Sequence, residues 1–158
     1  MINKVNETEE GLYREAYEFD SCGVGYICDI KGKKTHQTVS DALTILENME
    51  HRGACGCDPN SGDGAGLLMQ IPHDFLVKEC DKIGFKLPKQ DEYGMGMLFL
   101  PKKPTIKEAC KKAIQVAAEK TGLKILGYRK VPVDPSMIGE TAISMEPDME
   151  QIFIARPE

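Results

Sequence analysis

One stretch in the second half of the chain constrains the fold most, because it predicts a strand, a helix and another strand in succession. Residues 93–100 are apolar, and their two glycines at alternate positions indicate a bulge or a close backbone approach. Thr105-Ile-Lys-Glu108 matches a helix capping box, and an apolar stripe continues to Gly122, a natural stop. Residues 123–133 predict the second strand. Such a chain mixes helices and strands in an α+β or α/β fold.

The rest of the sequence adds further elements of both kinds. Apolar residues at helical spacing predict a helix over residues 38–50, followed by His51-Arg52-Gly53, a basic helix end with glycine beyond it. Pro72 opens a shorter predicted helix that ends near Gly84, and residues 23–30, 66–71 and 151–155 predict strands. The last predicted strand has no capping element behind it, which is typical either of a severed domain or of an ordinary C-terminal edge strand.

Composition and charge exclude several classes of protein. With 158 residues, 41% of them hydrophobic, the chain has the size and apolar content of one globular domain. Its net charge of −5 does not favour binding to nucleic acid or to an anionic membrane, since both bind clustered Lys and Arg side chains. No apolar run approaches the roughly 20 residues of a membrane-spanning helix, and the acidic N-terminus lacks the features of a secretory signal. We therefore expect a cytoplasmic protein with reduced cysteines.

The glycine-rich segment over residues 54–66 matches none of the ligand-binding motifs that it superficially suggests. An EF-hand loop counted from Asp58 fails at its glycine and final glutamate positions, and the lysine of a P-loop is absent. A dinucleotide fingerprint fails because the glycines precede a predicted strand and open no helix. Cys55 and Cys57 lack the second pair that zinc requires, although a thiol-based metal or redox role stays open as a weaker alternative. What remains is a tight loop whose N–H groups could line a pocket.

Cys22 is the candidate nucleophile, because it directly precedes a Gly-Val-Gly segment and follows a leader with no packing pattern. A nucleophilic thiol needs a base, and no histidine pairs with it in the sequence. Cleavage before Cys22 would create an α-amine, with an unperturbed pKa of about 8, within reach of the thiol. The spacing alone favours the other interpretation, a buried strand-end cysteine. Arg52 is similarly open, either as a solvated helix-end cation or as a guanidinium that holds the neighbouring loop.

A dense series of motifs resembles a known family, the N-terminal glutaminase domain of glutamate synthase large subunits. That domain is a class II glutamine amidotransferase of the N-terminal-nucleophile hydrolases. The resemblance covers the chain from Gly11 onwards, and the motifs that carry it are Gly11-Leu-Tyr13, Glu18-Phe-Asp-Ser-Cys22-Gly-Val-Gly25, Met49-Glu-His-Arg52-Gly53-Ala54, Ser61-Gly-Asp63-Gly64-Ala-Gly66, Tyr93-Gly-Met-Gly96-Met-Leu-Phe99, Leu126-Gly-Tyr-Arg129, Val131-Pro-Val-Asp134-Pro135 and Gln151-Ile-Phe153-Ile.

The resemblance implies a four-layer α-β-β-α sandwich with two antiparallel sheets. It also implies that residues 1–21 form a leader, removed to make Cys22 the catalytic N-terminus, and that residues 22–158 are the N-terminal part of the glutaminase domain. Arg52, Gly53, Asp63 and Gly64 are then expected to support the substrate pocket. The substrate would be L-glutamine, no metal or cofactor is expected on this chain, and FMN and an iron–sulfur cluster are expected in the remaining synthase domains, which are the implied partners.

The sequence also departs from the family pattern. The family's oxyanion hole is an Asn-Gly pair, and none of the asparagines in this sequence is followed by glycine. The arginine and aspartate that hold the substrate's α-carboxylate and α-amino groups also have no counterpart here. We therefore expect weak glutaminase activity from these 158 residues alone. The alternative is a catalytically incompetent fragment that acts only as an interaction or structural piece of a larger or split glutamate synthase.

Overall fold

Helix α1, His36–Asn48, forms where the apolar spacing predicts it. The Thr35 hydroxyl caps it by accepting a hydrogen bond from the Thr38 amide at 3.3 Å. The structure is a computed structural model that describes residues 23–49, 58–62 and 64–157. The chain divides into two compact units, of which the first, containing α1, comprises Met1–Gly56 and Gly62–Leu67.

The predicted strands over residues 23–30 and 66–71 are wrong for the described part of the chain. Neither segment forms a strand there, and their residues are exposed except for half-buried Ile71. The predicted break at Lys31-Gly32 is confirmed, because Asp29 accepts hydrogen bonds from the Lys31 and Lys33 amides. Gly32, with a φ of +69°, completes this turn.

The second unit, Cys57–Ser61 with Leu68–Glu158, contains a three-stranded antiparallel sheet. Its strands are β1, Tyr93–Leu100; β2, Lys124–Lys130; and β3, Asp148–Ala155. Their order is β1-β3-β2, so the last strand in sequence is central and the two outer strands run in the same direction. A bulge interrupts the β2–β3 register between Ile125 and Gly127.

Three helices and a 3-10 turn complete this unit. They are α2, His73–Lys82; α3, Pro104–Lys120; the 3-10 turn Pro135–Met137; and α4, Glu140–Met145. The predicted capping box at Thr105 is wrong, because α3 begins one residue earlier, at Pro104, whose fixed φ suits the first helical position. The helix stop at Gly122 is confirmed, and this glycine has a φ of +70°. None of the described helices is long and apolar enough to cross a membrane.

The two faces of the sheet differ in chemistry. On the α2 side, Leu76 and Cys80 pack with Tyr93 and Phe153 in the buried core. Alternation along β3 places Asp148 and Glu150 on the opposite face, where Lys107 and Lys111 of α3 meet them. The mixed α+β class expected from the sequence is confirmed.

Candidate active site

The structure describes one of the five predicted site residues. Gly64 is exposed and has a φ of +88°, and a Cβ atom added there would meet nothing within 4 Å. The conformation of its backbone, rather than crowding, therefore favours glycine at this position. Cys22, Arg52, Gly53 and Asp63 lie outside the described residues, and so do Cys55 and Cys57.

One residue of the segment that follows Cys22, Gly25, lies close to α1. A Cβ atom on Gly25 would lie 2.5 Å from Cγ2 of Ile45, well inside the distance that carbon atoms tolerate. The added Cβ atom would also lie 3.9 Å from Cε of Met49. Glycine at position 25 thus has a packing reason, and α1 is the element that holds the chain three residues after the candidate nucleophile.

A turn over residues 58–61 precedes the predicted pocket residues Asp63 and Gly64. The carboxylate of Asp58 accepts hydrogen bonds from the Asn60 amide at 3.1 Å and from the Ser61 hydroxyl at 2.8 Å. It also accepts one from the Thr141 amide at 3.3 Å. Hydrogen bonds from Ser61 and Thr141 lower the pKa of Asp58 below its usual range. The carboxylate that begins the failed calcium-loop motif therefore binds groups of the protein itself.

The same turn joins the start of α4 through two further hydrogen bonds. The hydroxyl of Ser61, which is only 6% exposed, accepts one from the Ala142 amide at 3.1 Å. The Gly139 amide donates to the Asn60 carbonyl at 2.8 Å. Sequence analysis missed this contact because 81 residues separate Ser61 from Ala142.

Two other family-like motifs meet on the α2 side of the sheet. Arg129, which is 9% exposed, donates to Gln151 at 3.0 Å and to Glu79 of α2 at 3.2 Å. Its guanidinium also lies over the ring of Phe75, 5.5 Å from the centroid. Hydrogen bonds from Lys82 and from Arg129 lower the pKa of Glu79. Arg129 of β2 therefore contacts Gln151 of β3 and two residues of α2, and these contacts attach α2 to the sheet.

The opposite face carries a buried charge cluster that sequence analysis did not anticipate. Glu150 is 5% exposed and binds Lys107, and it binds Lys111 at 2.7 Å. Burial alone would raise the pKa of Glu150, but the hydrogen bonds from the two lysines outweigh it and lower this pKa. Lys111 also lies 4.6 Å from the centroid of the Tyr128 ring. The cluster therefore attaches α3 to the sheet.

The two histidines that the structure describes, His36 and His73, lie in polar, turn-like stretches of sequence, which predict surface positions without a partner. His36 is exposed, as expected, with Nδ1 3.2 Å from the Ser40 hydroxyl. The interpretation of His73 as a surface residue without a partner is wrong, because Nδ1 lies 3.1 Å from the hydroxyl of Tyr93 and the side chain is half-buried. Within residues 23–49, 58–62 and 64–157, no group of three or more His, Cys, Asp or Glu side chains is placed to hold a metal ion.

Comparison with known proteins agrees with the motif resemblance. A glutamate synthase (NADH) of Schizosaccharomyces pombe is 48% identical over 143 residues, which cover 90% of this chain and 7% of that protein. The large chain of a glutamate synthase (NADPH) from Bacillus subtilis is 43% identical over 145 residues, 92% of this chain and 9% of that protein. The ferredoxin-dependent glutamate synthase 2 of Arabidopsis thaliana is 44% identical over 137 residues, 87% of this chain and 8% of that protein.

The chain thus spans less than a tenth of the length of these curated relatives. The family model for class-II glutamine amidotransferases matches residues 22–158, a range that starts at the candidate nucleophile. That match covers well over half of the chain and all of the described structure. The chain belongs to the class-II glutamine amidotransferases.

Proposed function

We propose that this chain is the nucleophile-bearing N-terminal part of the glutaminase domain of a glutamate synthase. The observation that carries the proposal is the family match, which begins at Cys22, together with relatives that are all named glutamate synthases. The close packing of Gly25 on α1 supports it, because it fixes the chain just after the nucleophile. In the complete domain, the elements described here form part of an α-β-β-α sandwich.

In the proposed reaction, residues 1–21 are removed first and Cys22 becomes the N-terminus. Its α-amine takes the thiol proton, and the thiolate attacks the side-chain amide carbon of L-glutamine. The tetrahedral intermediate collapses when the α-ammonium returns the proton to the departing nitrogen, so ammonia leaves and a γ-glutamyl thioester remains. Water, deprotonated by the α-amine, then attacks the thioester and releases glutamate. Arg52, Gly53, Asp63 and Gly64 support the substrate pocket.

The ammonia serves a synthase site in the remaining domains of the parent enzyme. FMN and an iron–sulfur cluster belong to those domains in this proposal, and this chain contributes no cofactor ligand. The relatives' names mention NADH, NADPH and ferredoxin, so the proposal leaves the reductant of the parent enzyme open.

The proposal is tested by intact mass spectrometry before and after incubation with a diazoketone analogue of glutamine. We expect a protein that lacks residues 1–21 and carries one adduct, mapped to Cys22 by peptide analysis. Cys22→Ser should abolish the adduct. Cys28→Ser is the matched control, since Cys28 is exposed and lies six residues further along, and it should leave labelling unchanged. An adduct that persists in Cys22→Ser would contradict the proposed nucleophile.

The chain alone is expected to release ammonia slowly. Loss of one oxyanion donor typically costs a factor of about 10²–10³ in rate, and loss of the substrate clamp removes positioning as well. Labelling at Cys22 with an ammonia release at least about 10²-fold below that of a full-length relative is therefore the expected result. A full-length, unlabelled mass would instead favour the catalytically incompetent fragment.

A further inference from the structure

Strand β1 lies at one edge of the sheet, and its outer side pairs with no strand among the described residues. Its register with β3 is uninterrupted from Tyr93 to Leu100. The Arg156 amide donates to the Glu92 carbonyl at 2.8 Å, so the even-numbered positions of β1 bond to β3. The odd-numbered positions therefore direct their N–H and C=O groups towards the open edge, where another strand can pair with them.

The side chains of β1 leave this edge unprotected. None of the eight residues of β1 is charged, and Pro101 follows the strand without interrupting it. Met97 and Phe99 are large apolar residues, yet they are 44% and 66% exposed. Folded proteins usually block a free edge with charges, a proline or a bulge. Because β1 has none of these, its edge is suited to pairing.

The other edge of the sheet, β2, is protected. This strand begins with Lys124, ends with Lys130 and contains the bulge between Ile125 and Gly127. Two antiparallel copies of β2 would bring Lys124 of one copy near Lys130 of the other, and like charges on opposing strands are destabilising. Of the two outer strands of the described sheet, β1 is therefore the one suited to pair with a second copy of itself.

The charges that flank β1 are complementary when the strand is reversed. Acidic residues precede the strand, basic residues follow it, and all of them are exposed: Asp91, Glu92, Lys102 and Lys103. Two antiparallel copies with Met97 at the twofold axis would place the acidic end of each strand beside the basic end of the other. Lys102 also pairs with Glu146 at 2.7 Å and stays exposed.

The same register matches small residues with large ones. Gly94 would lie opposite Leu100 of the second copy, and Gly96 would lie opposite its Leu98. A Cβ atom added to Gly94 would meet nothing within 4 Å, so no contact in the described structure explains this glycine. Glycine inside a strand often marks the close approach of another backbone, and the space at Gly94 is available to a second strand.

We propose that the open edge of β1 is a dimerisation surface, on which β1 of a second copy of this chain pairs antiparallel with Met97 at the twofold axis. The two sheets would join into one continuous sheet. Main-chain hydrogen bonds between the strands supply the affinity, and the charged ends fix their direction and register. This inference does not depend on the proposed function, because none of the proposed glutamine-site residues lies in β1.

Sedimentation velocity at increasing concentration tests the proposal on the intact chain of 158 residues. We expect a concentration-dependent shift from the monomer to a species of twice its mass, because the pairing closes with two copies. Met97→Lys would bring two ammonium groups together at the axis and should raise the dissociation constant of the dimer at least about tenfold. Met137→Lys is the matched control, since exposed Met137 lies in the 3-10 turn outside the sheet, and it should leave the dissociation constant unchanged.

Two further variants test the direction and register of the pairing. Lys103→Glu should weaken the dimer about fivefold, whereas Lys112→Glu, at an exposed position of α3, should leave it unchanged. Met97→Cys should form a disulfide between the two copies under mild oxidation, because paired Cα atoms about 5.5 Å apart suit such a bond. Peptide mapping distinguishes this bond from one through exposed Cys28. Met97→Cys decides the question if Met97→Lys fails to fold.

Two results would overturn the proposal. The first is a chain that stays monomeric at every concentration, and the second is a dimer that Met97→Lys does not weaken and Met97→Cys does not cross-link. Amide hydrogen exchange would then identify the reason. Protected amides at Met95, Met97 and Phe99 in the monomer would mean that another segment of the same chain covers the edge, and rapid exchange would mean that the edge stays open to water.

Discussion

Substituting Gly127 by alanine should destabilise the sheet unit through one specific collision. A Cβ atom at position 127 would lie 2.7 Å from Cδ1 and Cε1 of Phe85, about 1 Å inside a normal carbon–carbon contact. The ring of Phe85 has little room to retreat, because it lies 5.5 Å from the ring of Phe153, which is completely buried. Overpacking typically costs about 1–3 kcal/mol, and a disturbed aromatic pair adds about 0.5–1.5 kcal/mol. We expect a loss of about 2–3 kcal/mol in the free energy of unfolding.

Urea unfolding followed by circular dichroism measures this loss, and the slope of the transition should stay the same. Gly94→Ala, on a strand of the same sheet but with open space around the added Cβ, should change stability by less than about 0.5 kcal/mol. In a Phe85→Ala background the cost of Gly127→Ala should largely disappear, with a coupling of at least about 1 kcal/mol. Equal costs in both backgrounds, or a Gly127→Ala variant as stable as Gly94→Ala, would refute the collision.

Three further predictions concern the charge cluster, a helix end and the thiols. Because bonds from lysines hold the pKa of Glu150 below its ordinary 4.5, its contribution to stability is present above about pH 5 and is lost as the pH falls through the lowered pKa. Thermal melts from about pH 7 to about pH 3 should therefore be flatter for Glu150→Gln, and an unchanged slope would contradict this. Gly122→Ala places a side chain at a φ of +70° and should lower the free energy of unfolding in urea by about 1–2 kcal/mol. An unchanged free energy of unfolding would contradict a left-handed backbone at this helix end. Cys80 is fully buried and burial raises the pKa of its thiol, so iodoacetamide should modify exposed Cys28 rapidly and Cys80 only in urea. Equal rates without urea would show that the core is open.

The sequence predicted best those elements whose partners lie close along the chain. Helices α1 and α3 were located from apolar spacing and α2 from the proline that precedes it, and the strand–helix–strand order of β1, α3 and β2 is confirmed. The final strand was also expected, but it begins at Asp148 rather than Gln151. Its first three residues were missed because Asp148 and Glu150 are charged. Ion pairs with α3 make the burial of Glu150 and the partial burial of Asp148 possible.

Residues 23–30 and 66–71 show what local pattern cannot establish. Their β-branched and aromatic residues favour an extended backbone, but a strand also requires a hydrogen-bonded neighbour. That neighbour is a property of the whole fold, so the composition of the segment does not specify it. The capping box failed for a more local reason, because Pro104 begins the helix before Thr105 can cap it.

The candidate site divides in the same way. Cys22, Arg52, Gly53 and Asp63 stay predictions that rest on the resemblance, since they lie outside the described residues. Gly64, by contrast, has the left-handed backbone that its motif favours. The contact between the turn over residues 58–61 and the start of α4 could not be predicted, because its two sides are about 80 residues apart and each is unremarkable alone. Arg129 and Gln151 were identified as members of two family-like motifs, but only the structure shows that they attach α2 to the sheet.

The central position of β3 has a consequence for how this part of the protein is made. Strands β1 and β2 run in the same direction and are separated by the width of one strand, so neither can pair with the other. On the ribosome, both outer strands are synthesised before the strand that fills the gap between them. The sheet therefore cannot close until Asp148–Ala155 has been synthesised, and a nascent chain stalled before that point exposes two unpaired strands and their apolar faces. Chaperone binding to this sheet during synthesis should accordingly end abruptly once β3 has left the ribosomal tunnel.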